Sequence, residues 1–341
     1  MKKFICVVLA AAALIMSSCS SVRTVESRFF TMDTVAQIKV VANDRDICDK
    51  INLKIQEICR EVENQISRTI ESSDISKLNQ DGIKADISDD TIDLLKISKY
   101  VKDITDGAFD PALGEITDLW GINEGNNELP QRTDFYFALE KNRNYTIEET
   151  DCKEIIVYEN EENLSFDLGS IGKGYVFDRI INRYLIRERP AGVLLSFGSS
   201  VLAYGKSEKD ELWTIGIKNP LNPEKIAGVI GATNKVISVS GGYERYIEID
   251  GIIYCHIFDP ATGYPVDNDL LSVVVVMNSR EENSGALSDA ISTALYVMGK
   301  QGALDFYAKG IVDFEMILFV KADTEKGYDV ICTNVIFSEI E

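Results

Sequence analysis

The chain has 341 residues, of which 45% are hydrophobic, with 35 basic and 55 acidic side chains and a formal net charge of −20. This acidic excess argues against nucleic-acid binding, which depends on Lys and Arg neutralising phosphates. An anionic substrate would need a metal ion to bring it in. The hydrophobic content and the lack of a low-complexity linker predict one globular, two-lobed unit.

The N-terminus has the features of an export signal. Two lysines precede an apolar run over 4–16 that is too short to span a bilayer comfortably. Ser17 and Ser18 precede Cys19, which is similar to the bacterial lipoprotein cleavage box, with Cys19 as the acylated first residue. We therefore predict a signal peptide at 1–18 and a mature domain at 19–341, whose formal charge without the two lysines changes from −20 to −22. The alternative is an ordinary signal peptide cut slightly later, and either one predicts export.

Cysteine usage predicts neither a disulfide framework nor a zinc site. The whole chain has seven cysteines, and five lie beyond Cys6 and Cys19. That number is odd, and no pair has CxxC spacing.

The periodicity of apolar residues predicts a mixed order of elements. An α+β fold with a largely antiparallel sheet and flanking helices is favoured, because hairpins alternate irregularly with isolated helices. Segments 155–158 and 164–168 are predicted to form a hairpin around a polar turn at 160–163. The predicted strands are 29–41, 155–158, 164–168, 193–203 (broken at Gly198), short segments over 213–276 and two closing strands; the predicted helices are 44–66, 88–107, 132–142, 171–189 and 284–299.

His256 is the only histidine, and it lies in the stretch Tyr-Cys-His-Ile-Phe-Asp-Pro-Ala-Thr-Gly-Tyr-Pro. Imidazole is the side chain whose unperturbed pKa lies near neutrality, so His256 is the obvious candidate for proton transfer. The segment 252–258 is predicted as a strand that runs into a turn, and we expect Asp259 to orient the ring. The alternative is a polar residue that satisfies a tight turn.

The loop 106–111, Asp-Gly-Ala-Phe-Asp-Pro, follows the second predicted helix. Phe109 beside Asp110 can pack on a flat ring and hydrogen-bond it. A helix C-cap and turn explains the pattern equally well.

Segment 166–175 places three glycines at a strand-to-helix junction. Backbone N–H groups there can approach phosphate, a helix N-terminus favours anions, and Lys173 adds a point charge. The segment is neither GxGxxG nor a Walker motif, so a plain structural turn remains about equally good.

Asp289 and Thr293 are four residues apart and therefore share one face of the predicted helix. A carboxylate and a hydroxyl form a hard-oxygen ligand set that suits Mg²⁺. Taken alone, the pair is more often an exposed Asp near a half-buried Thr with no metal between them.

Segment 239–246, Val-Ser-Gly-Gly-Tyr-Glu-Arg-Tyr, reads as a turn that enters a strand. Arg245 can contact an anion, and Tyr243 or Tyr246 can line an aromatic pocket. An edge hairpin with exposed charge accounts for the same pattern.

In this order, the segments resemble the ApbE family of FAD:protein FMN transferases over about residues 28–320. The family's motifs appear here at 32–34, 107–111, 167–175, 240–245, 256–265 and 289–294. The resemblance implies that FAD is a substrate whose FMN moiety is transferred to a Thr or Ser hydroxyl of an acceptor protein, with release of AMP. The implied partners are acceptor proteins of membrane redox complexes or other exported flavoproteins, and the implied location is the extracytoplasmic side of a bacterial membrane, held by the lipid anchor.

The resemblance also assigns roles to residues. It implies Mg²⁺ ligands, a base for the acceptor hydroxyl that works with Asp289 in catalysis, and a set of FAD-binding positions. The implied ligands are Asp289, Thr293 and a backbone oxygen of Ser170; the implied base is His256; the FAD-binding positions are Met32, Thr69, Ala108, Phe109, Asp110, Asp167, Lys173, Arg245 and His256.

Three segments depart from the family pattern. Asp33 replaces a small residue, Thr69 stands where an aromatic ring normally stacks on the flavin, and Ser199-Ser200 replaces Gly-Gly. Two alternatives therefore stay open: an Mg²⁺-dependent FAD pyrophosphatase that uses water, and a non-enzymatic flavin-binding lipoprotein. The Asp289/Thr293 pair and His256 argue against the second, because storage needs neither a metal nor a base.

Overall fold

The computed structural model describes residues 22–81, 87–122, 125–126, 128–141, 145–149, 154–158 and 164–340. The leader with Cys19 and the turn expected at 160–163 lie outside these residues. The helices are α1 Arg45–Ile66, α2 Asp74–Asp81, α3 Asp89–Ile104, α4 Gly114–Trp120, α5 Arg132–Lys141, α6 Gly172–Ile180, α7 Ile186–Glu188 and α8 Ser284–Lys309. The strands are β1 Arg23–Thr31, β2 Thr34–Ala42, β3 Tyr145–Glu149, β4 Glu154–Tyr158, β5 Gly192–Ser196, β6 Ser200–Gly205, β7 Trp213–Asn219, β8 Asn222–Ala232, β9 Lys235–Gly241, β10 Tyr246–Ile249, β11 Ile252–Cys255, β12 Leu270–Asn278, β13 Glu315–Lys321, β14 Tyr328–Thr333 and β15 Phe337–Glu339.

An eight-stranded sheet with the order β1-β2-β5-β6-β9-β12-β13-β14 forms the centre of the molecule. Each pair of neighbouring strands in it is antiparallel. A three-stranded sheet, β15-β8-β7, and two hairpins, β3-β4 and β10-β11, accompany it. The predicted α+β class with a largely antiparallel sheet is confirmed.

The two faces of the large sheet are covered differently. On β12, Val273 and Val275 belong to the core that α1, α3, α6 and α8 share with the sheet. Val274 and Val276 point to the opposite face, where they pack with residues of β7 and β8. Because side chains alternate across a strand, this run of valines is buried on both faces. α6 and α8 thus lie together on the helical face.

The helix ends follow from local sequence signals. Asp44 caps α1 by accepting a hydrogen bond from the amide of Asp46, and Ser88 caps α3 by accepting one from the amide of Thr91. α8 is interrupted at Gly299, where φ is 72° and ψ is 178°. The predicted helix end at 299 coincides with this interruption, and the helix then continues to Lys309.

Several element predictions need correction. β4 pairs with β3, so the hairpin expected between 155–158 and 164–168 is wrong. Segment 164–168 is an extended stretch whose backbone pairs elsewhere: the amide of Asp167 donates to the carbonyl of Pro111, and the amide of Gly114 donates to the carbonyl of Ser165. The strand expected over 29–41 is the hairpin β1-β2, and that over 193–203 is the hairpin β5-β6.

The helix expected over 171–189 comprises α6, a π-helical turn at Ile181–Leu185 and α7. The prediction omitted α2 and α4, two short helices of eight and seven residues. Within the described residues, none of the helices is long and apolar enough to cross a membrane.

Candidate active site

The carboxylate of Asp289 lies where α8 crosses α6. Its Oδ2 accepts a hydrogen bond of 3.0 Å from the amide of Gly174, and its Oδ1 accepts one of 2.8 Å from the hydroxyl of Ser200. Gly174 is the third residue of α6, so its amide is one of those that the helix itself leaves without a partner. Asp289, which is 6% exposed, therefore faces the positive end of α6.

Thr293 lies one turn further along α8 and is partly buried. Its hydroxyl is 3.2 Å from that of Ser240 near the end of β9, and 3.4 Å from the carbonyl oxygen of Asp289. Ser240 is also 2.8 Å from the hydroxyl of Ser292. The predicted pair Asp289 and Thr293 is thus held from two sides, by α6 and by β9.

Ser170 lies in the turn that enters α6. In a helix continuing backwards, the amide of Gly174 would donate to the carbonyl of Ser170, four residues earlier. That amide is instead hydrogen-bonded to Asp289. The assignment of the Ser170 carbonyl to the metal-ligand set stays a prediction.

These oxygens fit a magnesium ion in chemical type. A carboxylate, a hydroxyl and a backbone carbonyl are hard oxygen donors, and Mg²⁺ is usually held by one or two carboxylates while it keeps waters or phosphate oxygens. Among the described residues, no three His, Cys, Asp or Glu side chains form a metal-binding group. The donor set therefore suits an ion that also relies on its substrate for ligands.

His256 is fixed by the backbone of Arg245. Its amide and its Nδ1 both lie 3.1 Å from the carbonyl oxygen of Arg245. A carbonyl oxygen only accepts hydrogen bonds, so in the neutral ring Nδ1 carries the proton and Nε2 carries the lone pair. The backbone contact thus selects the tautomer in which Nε2 can act as a base.

Burial lowers the pKa of His256 to about 4. The hydrogen bond to the Arg245 carbonyl opposes this shift, whereas the positive charges of Lys173 and Arg245 add to it. The imidazole of the ligand-free protein is consequently neutral at neutral pH, as a general base must be.

The expectation that Asp259 orients the His256 ring is wrong. The Asp259 carboxylate accepts hydrogen bonds from the amide of Ala261 and the hydroxyl of Thr262, within its own turn. That turn is anchored from outside, because the indole N–H of Trp120 donates to the carbonyl of Gly263 at 2.8 Å. The ring is oriented across the β10-β11 hairpin instead.

Met32, Lys173 and Arg245 lie around the same place. A side chain added at Gly172 would come within 3.2 Å of Met32 Cε, so the Met32 side chain rests on the first turn of α6. Lys173 Nζ donates to the carbonyl of Gly169, and Arg245 donates to the carbonyl of Asp33. These cationic groups add positive charge to the α6 N-terminus in a strongly acidic protein.

The turn between β1 and β2 carries Met32 and Asp33 in left-handed backbone conformations, with φ of 50° and 55°. Such a conformation is unusual for residues other than Gly, Asn and Asp. Glu63 of α1 holds the turn, since it accepts the amide of Met32 and the hydroxyl of Thr31, each at 2.7 Å. Asp33 suits this turn because aspartate tolerates the left-handed conformation, and Glu63 holds the two residues before it.

A second group of predicted residues surrounds Asp167. Its carboxylate accepts hydrogen bonds from the amide of Gly169 and the hydroxyl of Thr117, and Arg68 Nε lies 3.9 Å away. Arg68 and the exposed Thr69 line a polar pocket of about 300 Å³, together with Ser76, Asn79, Gln80, Asp118 and Ser165. Segment 167–173 connects this pocket to the Asp289 site.

The 108–110 loop contributes differently from the prediction. The Phe109 side chain is 2% exposed and lies in the main core, so the protein itself covers the ring that was predicted to pack on a ligand. Ala108 is partly buried against the same core. Asp110 is 2.7 Å from Lys102 and accepts the amide of Ala112; burial raises the pKa of its carboxyl against the effect of Lys102.

Sequence reasoning missed the partners that hold the predicted groups: Gly174, Ser200, Ser240 and Glu63. A signal existed for Ser200, because it departs from the family's Gly-Gly pattern. The contact of Ser200 with Asp289 could not be predicted, because it depends on the sheet, which brings the start of β6 beneath α8.

The profile of the ApbE family matches residues 32–318. The chain belongs to the ApbE family. It is 26% identical over 337 residues to an FAD:protein FMN transferase of Haemophilus influenzae, an alignment that covers 95% of this chain and 94% of the relative. It is 33% identical over 193 residues to one of Klebsiella pneumoniae, covering 56% of this chain and 58% of that protein.

A solved structure shows the same fold. The crystal structure of the ApbE protein from Thermotoga maritima superposes with a TM-score of 0.78 at 28% sequence identity. The superposition covers 92% of this chain and 97% of that chain. The arrangement of sheet and helices around Asp289 is therefore an ApbE fold.

Proposed function

We propose that this ApbE-family chain transfers FMN from FAD to a Thr or Ser hydroxyl of an acceptor protein and releases AMP. It is an enzyme of the flavin-transferring class to which its relatives belong. One observation carries the proposal for the site: segment 240–245 contacts both the proposed metal ligands and the proposed base. Ser240 contacts Thr293 beside Asp289, and the carbonyl of Arg245 sets the tautomer of His256.

His256 acts as the base in this proposal. Its Nε2 takes the proton of the acceptor hydroxyl while the hydroxyl oxygen forms a bond to the FMN phosphorus. The bond from that phosphorus to the oxygen of the AMP phosphate breaks, and AMP leaves with the bonding electrons. The neutral, fixed tautomer prepares the base before the acceptor arrives.

Asp289, Thr293 and the Ser170 carbonyl are the proposed holders of Mg²⁺. When bound, the ion offsets the negative charge of the diphosphate and of the departing AMP. The α6 N-terminus, with its first-turn amides, and Lys173 supply further positive charge to the same place. Arg245, which is exposed, connects two parts of the site, because its side chain donates to the Asp33 carbonyl and its own carbonyl faces His256 Nδ1.

The rest of FAD is proposed to lie along Met32, Asp167 and the pocket lined by Arg68 and Thr69. A single segment, 167–173, joins that pocket to the phosphate-facing end of α6 and gives one molecule a continuous path. Thr69 offers a hydroxyl in place of an aromatic ring. We expect weaker stacking on the flavin there, since a hydroxyl lacks a π face.

We propose that the protein is exported and held on the extracytoplasmic side of a bacterial membrane by lipid on Cys19. The N-terminal sequence pattern supports this placement. Exported flavoproteins and membrane redox complexes are the acceptor classes that this location would bring within reach.

The decisive assay incubates the protein with FAD, Mg²⁺ and a candidate acceptor. We expect AMP in solution and an acceptor whose mass has increased by one FMN, less water. AMP released at the same rate without any acceptor, with no gain in acceptor mass, would favour the pyrophosphatase. FAD binding without AMP would favour a storage protein.

Replacing Asp289 tests the metal proposal. Asp289→Ala should lose Mg²⁺-dependent turnover, because the remaining hydroxyl and carbonyl cannot compete with water for the ion. Ser292→Ala, a change in a buried neighbour on the same helix, is the control and should keep the Mg²⁺ dependence. Full-rate AMP release by the wild type in EDTA would contradict the proposal.

A further inference from the structure

Asp178 is a buried carboxylate for which the reaction itself has no use. It is 3% exposed and lies on α6, one turn after Gly174. Its Oδ1 accepts the amide of Gly285 at 2.8 Å, and its Oδ2 accepts the amide of Ala286 at 2.9 Å. These amides belong to the first turn of α8, so Asp178 caps α8 from a different helix.

The contact between the two helices is reciprocal. α6 carries Gly174 and, four residues later, Asp178; α8 carries Gly285 and, four residues later, Asp289. Each aspartate accepts the amide of the glycine on the other helix. A Gly-x-x-x-Asp segment in each helix therefore caps the N-terminus of its partner.

The glycines bring the helices into backbone contact at this crossing. A Cβ atom at Gly174 would lie 1.9 Å from the carbonyl oxygen of Gly285, and one at Gly285 would lie 2.1 Å from that of Gly174. Real Cβ atoms do not approach that closely. The two helices thus lie as close together as their backbones allow. The two caps fix the position of one helix along the axis of the other.

The two aspartates differ in their remaining partners. Both oxygens of Asp178 are bound to backbone amides, which cannot reorient separately from α8. Asp289 has one backbone partner and one hydroxyl partner, Ser200, which can rotate. Asp178 is consequently the fixed member of the pair, and Asp289 is the one that can accept a further ligand.

We infer that Asp178 is a positioning residue, which holds the first turn of α8 so that Asp289 and Thr293 are presented to a divalent cation. The inference rests on the proposed function, because it assigns that cation to Asp289. Partners that orient a metal ligand typically change metal affinity by about 10–100-fold when they are replaced. Asp178 acts one helical turn away from Asp289, through the rigid backbone of α8.

Asp178→Asn is the main test. The amide can accept from one of the two backbone N–H groups and places its own N–H₂ against the other. Mn²⁺ serves as a probe for Mg²⁺, and its binding to the full mature chain saturated with FAD is measured by electron paramagnetic resonance. A sample of FAD and Mn²⁺ without protein is the blank. We expect binding weakened by about 10–100-fold.

Asp74→Asn is the matched control. Asp74 also accepts a backbone amide beside a helix start, that of Ser88, and the hydroxyl of Thr91. Both of these partners lie outside the set of residues proposed to hold FAD or the ion, so Asp74→Asn should lower the unfolding free energy without changing Mn²⁺ binding. Asp178→Asn binding Mn²⁺ as tightly as the wild type would overturn the inference.

A measurement on the unmodified protein covers the case in which Asp178→Asn does not fold. Coupling between two sites is reciprocal, so Mn²⁺ binding should slow hydrogen exchange at the amides of Gly285 and Ala286. Unchanged exchange at these amides would overturn the inference. A wild type with no FAD-dependent Mn²⁺ binding would instead count against the proposed function.

Discussion

At the scale of single residues, the proposed chemistry depends on the tautomer and charge of His256. Its Nδ1 faces the Arg245 carbonyl, so its Nε2 is the atom able to receive a proton. A neutral imidazole positioned against a hydroxyl typically contributes about 10²–10⁴-fold to a rate. His256 has therefore a measurable role separate from that of the residues that hold FAD.

His256→Asn should keep FAD and Mg²⁺ binding but lose about 10²–10⁴-fold in the rate of FMN transfer. Its amide nitrogen can still reach the Arg245 carbonyl, yet it cannot take a proton. The measurement is single-turnover transfer to the acceptor. Asp259→Asn is the control, because Asp259 serves its own turn, and transfer by His256→Asn within a few-fold of the wild type would return His256 to a structural role.

The pKa of His256 should be about 4 in the ligand-free protein, well below its ordinary value of 6.5. Because this is the only histidine, an NMR titration reports it without assignment, and the nitrogen shifts identify the Nδ1–H tautomer. The unfolded chain binds the proton more readily, so the stabilising contribution is present above about pH 6.5 and is lost as the pH falls towards 4. A titration midpoint near 6.5 would contradict this burial.

At the scale of elements, the sequence predicted helices whose positions follow from apolar spacing and from capping residues. The three- and four-residue spacing of apolar side chains after Asp44 predicted α1, and Ser88 predicted the start of α3. Gly299 marked the interruption of α8, but not its continuation. Asp269 accepts the amide of Lys300 there, which restarts the helix from a residue 31 positions away.

One error lies where a distant side chain replaces a strand partner. Segment 164–168 alternates like a strand, yet the side chain of Asn79 takes both backbone groups of Phe166: its Oδ1 accepts the amide and its Nδ2 donates to the carbonyl. No pattern within the segment records this contact. The same holds for the site, where sequence patterns found Asp289, Thr293 and His256 but not Gly174, Ser200 or the Arg245 carbonyl.

Gly174→Ala should separate α6 from α8 and lower the free energy of unfolding. The new Cβ would lie 1.9 Å from the Gly285 carbonyl oxygen, so the effect should reach or exceed the upper end of the roughly 1–3 kcal/mol typical of overpacking. Urea unfolding measures the loss, and Mn²⁺ binding by the folded fraction should weaken with it.

Gly231→Ala provides the comparison for that variant. Its Cβ would lie 3.1 Å from Cδ1 of the exposed Leu212 side chain, which can move aside, and at an ordinary contact distance of 3.7 Å from the Leu212 Cβ. Unfolding free energies of Gly174→Ala and Gly231→Ala that agree within about 0.5 kcal/mol would show that the α6-α8 crossing tolerates a side chain.

At the scale of the whole molecule, a strongly acidic protein places some of its positive charge beside the candidate site. The net charge of −20 repels an anionic substrate at long range. The N-terminus of α6, Lys173 and Arg245 oppose that field close to Asp289 and His256. The central sheet makes this possible, because β1 and β9 end, and β6 begins, close to the crossing of α6 and α8.

Lipidation of Cys19 is the prediction that concerns the entire chain, since it decides where the enzyme meets its acceptor. The full-length protein expressed in bacteria should partition into detergent, and its mature N-terminus should be an acylated Cys19, because acyl chains together anchor a protein stably. Cys19→Ser should accumulate as a precursor that still carries residues 1–18. Cys6→Ser, a cysteine change within the apolar run, should be processed normally. Mass spectrometry of the N-terminus distinguishes these forms, and a soluble wild-type chain with an unmodified N-terminus would place the enzyme free in the exported compartment.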